Sequence, residues 1–156
     1  MTHQDYLRRA IDEAVANVRQ RRGGPFGAVV ARGGEILGVG TNVVTVTFDP
    51  TAHAEIVAIR AACAAARTFS LAGATIYCSC EPCPMCLGAI YWARIGRVIY
   101  AATRDDAAAA GFDDSLIYRE LALGAESRTL PSEQLLREEG GRAFAAWREW
   151  AGRVEY

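Results

Sequence analysis

The sequence predicts an α/β sandwich, and three observations support that fold class. A helix-like segment at 83–93 lies between two apolar, strand-like segments at 74–78 and 97–102. This order is typical of a βαβ unit with parallel strands. An amphipathic helical pattern opens the chain, and a hairpin pattern follows it. With 156 residues, 51% of them hydrophobic, the chain is long enough to bury the core of one domain.

The first quarter of the chain predicts a helix followed by two strands. Apolar residues recur at helical spacing over 4–20, namely Leu7, Ile11, Ala14, Val15 and Val18. Two glycines and a proline at 23–25 end this helix. The segments at 27–31 and 35–40 then form a hairpin. Gly27 either lets another backbone approach closely or marks a β-bulge.

The elements that follow are less regular. We expect 41–50 to be a loop or a ragged strand end, and Thr51 to cap the next helix. That helix is rich in alanine and should run to about Arg67. After the βαβ unit, helical patterns are predicted at 107–110, 115–123 and 143–150.

Charge and hydropathy narrow the class of partner and the compartment. A formal net charge of −1 argues against a protein that mainly grips phosphate backbones, so we expect no nucleic-acid partner. No run of 18 apolar residues occurs, and the opening residues do not resemble a signal peptide, so we expect no membrane partner. The cytoplasm is therefore the expected compartment, where clustered cysteines indicate metal binding more than disulfides.

A set of metal-ligating residues stands out in the sequence. Cys83 and Cys86 are three residues apart at the start of a predicted helix, so both sulfurs face the same way. His53 begins a helix of its own and is the best third ligand. Three protein ligands leave one position open on a tetrahedral zinc ion, as catalytic zinc requires. Glu55, two residues after the histidine, is placed to move protons beside the metal without binding it.

A closed structural site is the alternative interpretation of the cysteines. Its four ligands would be Cys78, Cys80, Cys83 and Cys86. That arrangement leaves Glu55 unexplained, and we therefore interpret Cys78, Cys80 and Cys63 as small buried residues.

The motifs His53-Ala54-Glu55 and Pro82-Cys83-Pro84-Met85-Cys86 resemble the signature of the zinc-dependent deaminases. The chain is similar to the cytidine and deoxycytidylate deaminase superfamily. More narrowly it resembles the bacterial guanine deaminases, through the segment 111–118 (GFDDSLIY) and the terminal Tyr156. The resemblance implies a three-layer α/β/α sandwich with a central mixed β-sheet, and one zinc ion per chain. It also implies a single domain over 1–156 in a homodimer that exchanges the segment at about 143–156.

The resemblance further implies hydrolysis of guanine at C2 to xanthine and ammonia. Glu55 would protonate N3 and later pass a proton to the departing amine. Asp114 would accept a hydrogen bond from the substrate amino group and take up a proton as the amine leaves. Asp113 is a second candidate substrate contact, although it lies nearer to a cap of the helix at Ser115, and both aspartates capping that helix is the alternative.

The other candidate substrate contacts are spread along the chain. Asn42 can both donate and accept hydrogen bonds, although an asparagine that merely ends a strand is the alternative. Phe26 is a candidate stacking wall, against a default of core packing. Ala54 offers a backbone group beside the metal. Trp92 and Tyr156 resemble pocket residues of the family, with Tyr156 closing the partner's site, whereas Tyr91 is expected in the core.

Other functions remain open at this point. A deaminase of cytosine, a pterin or a triazine shares the zinc motif, and so does a tRNA adenosine deaminase. A zinc-stabilised binding module without catalysis belongs to a different class, and Glu55 argues against it.

Overall fold

The structure is a computed structural model that describes residues 1–156. Its strands are β1 Gly27–Arg32, β2 Glu35–Thr41, β3 Thr75–Cys80 and β4 Arg97–Ala102. Its α-helices are α1 His3–Arg19, α2 Val44–Thr47, α3 Ala54–Ala66, α4 Pro84–Trp92, α5 Arg104–Ala109, α6 Ser115–Leu121 and α7 Arg137–Glu149. A short 3₁₀ helix lies at Ala125–Ser127.

The four strands form one mixed sheet in the order β2-β1-β3-β4. β1 pairs antiparallel with both β2 and β3, whereas β3 and β4 are parallel. α4 connects the two parallel strands, which confirms the predicted βαβ unit. The carboxyl end of β3, an interior strand, leads directly into the cysteines of the zinc motif, so this motif lies at the end of the strands and not along the side of the sheet.

The sheet is covered by helices on both faces. On one face, Tyr6 and Ala10 of α1 pack against Val29 and Tyr77. On the other face, α3 and α4 pack against alternate residues of the same strands, including Val30. The predicted three-layer α/β/α arrangement with a central mixed sheet is therefore confirmed.

Close packing over glycines sets the distance between α3 and the sheet. A Cβ atom at Gly40 would lie 2.2 Å from the carbonyl oxygen of Ala54, and one at Gly38 would lie 2.4 Å from that of Ala58. Real Cβ atoms do not approach this closely, so only glycine fits at these two positions. The start of α3, which carries the zinc motif's histidine, is thereby held tightly against β2.

The exposed face of α1 differs from the prediction. The helix buries Tyr6, Ala10, Ala14 and Asn17. Three of the predicted apolar residues, Ile11, Val15 and Val18, are exposed instead. The reason is Gly27, whose Cβ would lie 2.2 Å from the carbonyl oxygen of Ala10, so a small-residue strip of α1 sits directly on β1. Gly27 therefore allows close backbone approach, and the strand irregularity lies at Val30/Ala31.

Several predicted boundaries are wrong for local reasons. The segment 41–50 contains the short helix α2 and is not simply a loop. Thr51 does not cap α3, because its hydroxyl and amide both donate to Asp49 Oδ1 in a tight turn. The last helix begins at Arg137, six residues earlier than the predicted 143.

The chain forms two compact units, Met1–Asp114 and Ser115–Tyr156. The first unit contains the sheet and every buried residue. In the second unit the Arg128 guanidinium donates to the carbonyl oxygen of Leu123, and Trp147 packs edge-on against Trp150. None of the helices combines the length and the apolar character needed to cross a membrane.

Candidate zinc-dependent active site

Two helix N-termini bring the metal-ligating side chains together. His53 is the N-cap of α3 and Cys83 is the N-cap of α4. Neither side chain caps its own helix, so both remain available to a ligand. Pro84, and not the preceding Pro82, occupies the first helical position, where a missing N–H costs nothing. Cys86 lies one turn along α4 and is fully buried.

The distances in this group fit a zinc ion. His53 Nδ1 lies 3.5 Å from Cys83 Sγ and 3.5 Å from Cys86 Sγ. A tetrahedral zinc ion with ordinary bond lengths requires a separation of about 3.6 Å between a nitrogen and a sulfur ligand. The three ligand atoms lie within 4.8 Å of one another. One nitrogen and two sulfurs are also the donor set that a three-ligand catalytic zinc site uses.

The pKa values of the three candidate ligands depend on one another. A hydrogen bond from the Cys86 thiol, together with the nearby His53 ring, lowers the pKa of Cys83 to about 4. The hydrogen bond to Cys83 raises the pKa of His53. The hydrogen bond that the Cys86 thiol donates to Cys83, together with burial, raises the pKa of Cys86. A cysteine that is already a thiolate at neutral pH is the form that ligates zinc, so Cys83 is prepared for the metal.

Glu55 lies in the first turn of α3, beside the ligand group. Its carboxyl is buried, and that burial raises its pKa, with the charge of Cys83 acting in the same direction. A carboxyl group with a raised pKa exchanges protons more readily near neutral pH than an ordinary glutamate. Glu55 is not one of the candidate metal ligands, so its carboxyl remains available for proton transfer.

The remaining cysteines belong to the core. Cys78 is buried in the cluster beneath α3 and α4, and burial raises its pKa well above the ordinary value. The Cys80 thiol donates to the carbonyl oxygen of Thr103. Cys63 is half-buried and packs against the core. The group of candidate ligands is thus His53, Cys83 and Cys86, and the closed four-cysteine site does not form.

Phe26 and Asn42 lie next to each other. The backbone N–H of Asn42 donates to the backbone carbonyl of Phe26, and Asn42 is buried. Phe26 is half-buried, packs on the core and meets Phe112 edge-on at a ring distance of 5.0 Å. Ala54 is fully buried at the first position of α3, between the candidate ligand His53 and Glu55.

The two aspartates differ in their surroundings. Asp113 is exposed and Asp114 is half-buried. Burial raises the pKa of Asp114, and the charge of Cys83 raises it further. The Asp114 carboxyl therefore lies within electrostatic reach of the zinc ligands, which is where a substrate-facing carboxylate is needed.

Three predicted aromatic residues are placed away from this group or outside its unit. Trp92 is 63% exposed at the end of α4, about 9 Å along the helix axis from Cys86. Tyr91 was expected in the core, but it is 71% exposed because α4 turns that face outward. Tyr156 ends the second unit and is 71% exposed.

One polar residue near the site had no signal in the sequence. Asn17 is fully buried, and its side-chain amide donates to the carbonyl oxygens of Gly24 and Asn42. The sequence places it among the polar residues of an amphipathic helix. Its hydrogen bonds to Gly24 and Asn42 form only when α1 lies on the sheet.

Comparison with known proteins identifies the family. Residues 1–102 match the cytidine and deoxycytidylate deaminase zinc-binding region, and the chain belongs to that family. Over all 156 residues the chain is 51% identical to guanine deaminase of Bacillus subtilis (strain 168), with 100% of both sequences covered. The X-ray structure of guanine deaminase from Bacillus subtilis superposes with a TM-score of 0.97, covering 100% of this chain and 99% of that one.

A second relative shares only part of the chain. The tRNA-specific adenosine deaminase of Bacillus subtilis is 39% identical over 97 residues, which is 62% of this chain and 60% of that protein. The guanine deaminase similarity extends through the second unit, whereas this one does not cover the whole chain.

Proposed function

We propose that this chain catalyses the zinc-dependent hydrolytic deamination of guanine to xanthine and ammonia. The observation that carries the proposal is the convergence of two helix N-termini on a His-Cys-Cys group with a buried glutamate beside it. The 51% identity to a guanine deaminase over the full chain supports guanine as the base.

His53, Cys83 and Cys86 would hold the zinc ion. When bound, zinc would lower the pKa of a water molecule far below that of bulk water, toward about 7, which makes a nucleophile available at neutral pH. The chain's own contribution is to hold two thiolates and one imidazole in place and to leave a fourth position open. The positive ends of α3 and α4 stabilise negative charge at this point.

Glu55 would move the protons of the reaction. Its carboxylate would take one proton from water and give it to N3 of the purine as the water oxygen bonds to C2. It would then take the second proton, from the new C2 hydroxyl, and pass it to the amine as the C2–N bond breaks. Burial raises the pKa of Glu55, which makes its carboxyl a better proton acceptor than an ordinary glutamate. The amine then leaves as ammonia, and the new C2 oxygen becomes the carbonyl of xanthine.

Four groups of the first unit would bind the base. Asn42 offers an amide that can both donate and accept at the purine edge, and Phe26 offers a ring beside it. Ala54 contributes backbone next to the metal. Asp114 would accept a hydrogen bond from the substrate amino group and take up one of its protons as the C2–N bond breaks, returning that proton so that neutral ammonia is released. Asp113, the residue before it, is the second candidate substrate contact of this segment.

We also propose a homodimer in which the segment at about 143–156 is exchanged, with the whole chain acting as one deaminase domain. Support comes from the second unit, whose large apolar side chains are exposed, including Leu136 and Phe144. In the dimer Tyr156 would close the partner's site, and Trp92 would line it. We expect a cytoplasmic protein, because its five cysteines are all unpaired.

A panel of free bases and nucleosides, assayed for ammonia release by the zinc-loaded protein, tests the proposal. We expect guanine to give xanthine, and cytosine, adenosine, pterins and triazines to give little ammonia. Deamination of adenosine in tRNA, or of cytosine in preference to guanine, would assign the site to another member of the family. No ammonia from any substrate, with zinc bound, would leave only the non-catalytic zinc module.

A further inference from the structure

The contacts of Asn17 reach from the far side of α1 to the loops that carry the candidate substrate residues. Asn17 is fully buried near the end of the helix. Its Nδ2 donates to the carbonyl oxygen of Asn42 at 2.8 Å and to that of Gly24 at 2.9 Å. One side chain thus ties together the segment before β1 and the segment after β2.

The orientation of the Asn17 amide follows from these partners. Both neighbours are carbonyl oxygens, which accept hydrogen bonds only, so the atom between them must be the nitrogen. The two donated bonds join the Gly24 and Asn42 backbones, so Asn17 fixes these two segments relative to each other.

Two glycines show how closely these loops fit together. A Cβ atom at Gly23 would lie 2.0 Å from the carbonyl oxygen of Asn42, and Gly23 has a φ of +156°. A Cβ atom at Gly24 would lie 3.2 Å from the side chain of Asn42. The Asn42 side chain therefore rests against the backbone that Asn17 holds. A shift of this backbone must move Asn42.

The side chain of Asn42 has little else to hold it. Its Oδ1 accepts one long hydrogen bond, 3.4 Å from the Val44 nitrogen, and its Nδ2 has no partner within the chain. By contrast, the Asn42 backbone is held on both sides, by Phe26 and by Asn17. The position of the Asn42 side-chain amide is thus determined by the position of the Asn42 backbone.

We propose that Asn17 is a positioning residue that fixes Asn42, and with it the Phe26 segment, in the orientation that meets the substrate. The inference rests on the proposed substrate contact of Asn42. Because Asn17 touches neither the metal ligands nor Glu55, its loss weakens substrate binding and leaves the chemical step largely intact.

The test is a double-mutant cycle with Asn17→Ala and Asn42→Ala, measuring KM and kcat for guanine, zinc content and Tm. We expect Asn17→Ala alone to raise KM about tenfold and to change kcat less than about threefold. In the Asn42→Ala background the same change should raise KM less than about twofold, because the side chain it positions is gone. The loss in Tm should be equal in both backgrounds, since the Asn42 carbonyl remains in each.

Tyr6→Phe is the matched control. It removes the hydrogen bond from the Tyr6 hydroxyl to the Gly34 carbonyl, which anchors the opposite end of α1. It should lower Tm and leave KM unchanged. A rise in KM with Tyr6→Phe would mean that any loosening of α1 disturbs binding, and the specific role of Asn17 would be lost.

Asn17→Ser retains one hydroxyl donor and carries the same cycle if Asn17→Ala does not fold. An unchanged KM in the Asn17 variant, or equal increases in KM in the two backgrounds, would overturn the inference. The Asn42→Ala variant separates the two proposals. If it binds guanine normally, the substrate contact of Asn42 is wrong, whereas normal binding by the Asn17 variant alone refutes only the positioning role.

Discussion

The two units of this chain solve the problem of stability in different ways. Met1–Asp114 buries apolar residues on both faces of a sheet, whereas Ser115–Tyr156 has no buried residue in any of its helices. Burial of apolar surface is the main source of folding free energy, so the first unit has the means to fold by itself. The second unit has apolar side chains of similar size but leaves them exposed. Exposed apolar side chains of this kind are what the proposed exchange between chains would cover.

The units also differ in chemistry. The candidate metal ligands, Glu55 and Asp114 all belong to the first unit. The second unit contributes only Tyr156 to the proposed site. Changes in the first unit should therefore alter catalysis or folding strongly. Changes in the second unit should affect closure of the active site over the substrate and assembly of the dimer.

The largest effect is expected from Glu55→Gln. This change removes the proton carrier and keeps the side chain's size, so kcat should fall by about 10²–10⁴-fold or more. Zinc content and Tm should stay close to those of the unchanged protein, because Glu55 is not a ligand. Glu133→Gln, an exposed change in the second unit, is the control. Full activity of Glu55→Gln would remove it from the mechanism.

A pair of glycine substitutions should separate the two units by stability. Gly40→Ala places a Cβ atom 2.2 Å from the Ala54 carbonyl oxygen, and overpacking of this kind costs about 1–3 kcal/mol or more. Gly141→Ala lies in open space within α7 and should stabilise that helix by about 0.5–1 kcal/mol. Chemical denaturation measures both. Equal effects of the two substitutions would contradict the difference in packing.

Removal of residues 153–156 should leave the first unit intact and impair closure of the active site over the substrate. We expect kcat/KM to fall about tenfold, as for loss of a hydrogen bond to the substrate, with zinc near one per chain. Tyr156→Phe separates the hydroxyl from the ring. Unchanged kinetics after the truncation would place Tyr156 outside the site.

The smallest effect concerns the first turn of α5. There Thr103 and Asp106 form a reciprocal capping box, whereas Leu136, the N-cap residue of α7, provides no side-chain cap. Hydrogen bonds from the Thr103 amide and hydroxyl lower the pKa of Asp106 below the ordinary aspartate value of 3.8. A lowered pKa means that the stabilisation is present above pH 3.8 and is lost as the pH falls through the folded-state pKa.

Asp106→Asn should therefore lower Tm slightly at pH 7, and the difference from the unchanged protein should shrink in strong acid. Thermal melts from pH 7 down into strong acid, below the folded-state pKa of Asp106, measure it. A difference that persists undiminished below the folded-state pKa would show that the carboxylate charge is not the source of the stabilisation.

The parts of the fold that local sequence could predict are those with local causes. The hairpin follows from two adjacent glycines with positive φ, and the βαβ unit from its apolar strands and intervening helix. The last helix was predicted too short because its first residues are polar and include Gly140 and Gly141, which helices usually avoid. Thr51 was assigned to the wrong role because Asp49 competes for its hydroxyl.

By itself, the sequence determined the chemistry of this protein. The spacings of His53 to Glu55 and of Cys83 to Cys86 are short-range, so each helix start carries its own part of the site. Only the tertiary structure decided how those parts meet and what supports them. The burial of Asn17, the exposure of Val15 and the position of Tyr91 depend on which surface of a helix faces the sheet. That choice depends on close backbone contacts such as the one over Gly27, between residues far apart in the chain.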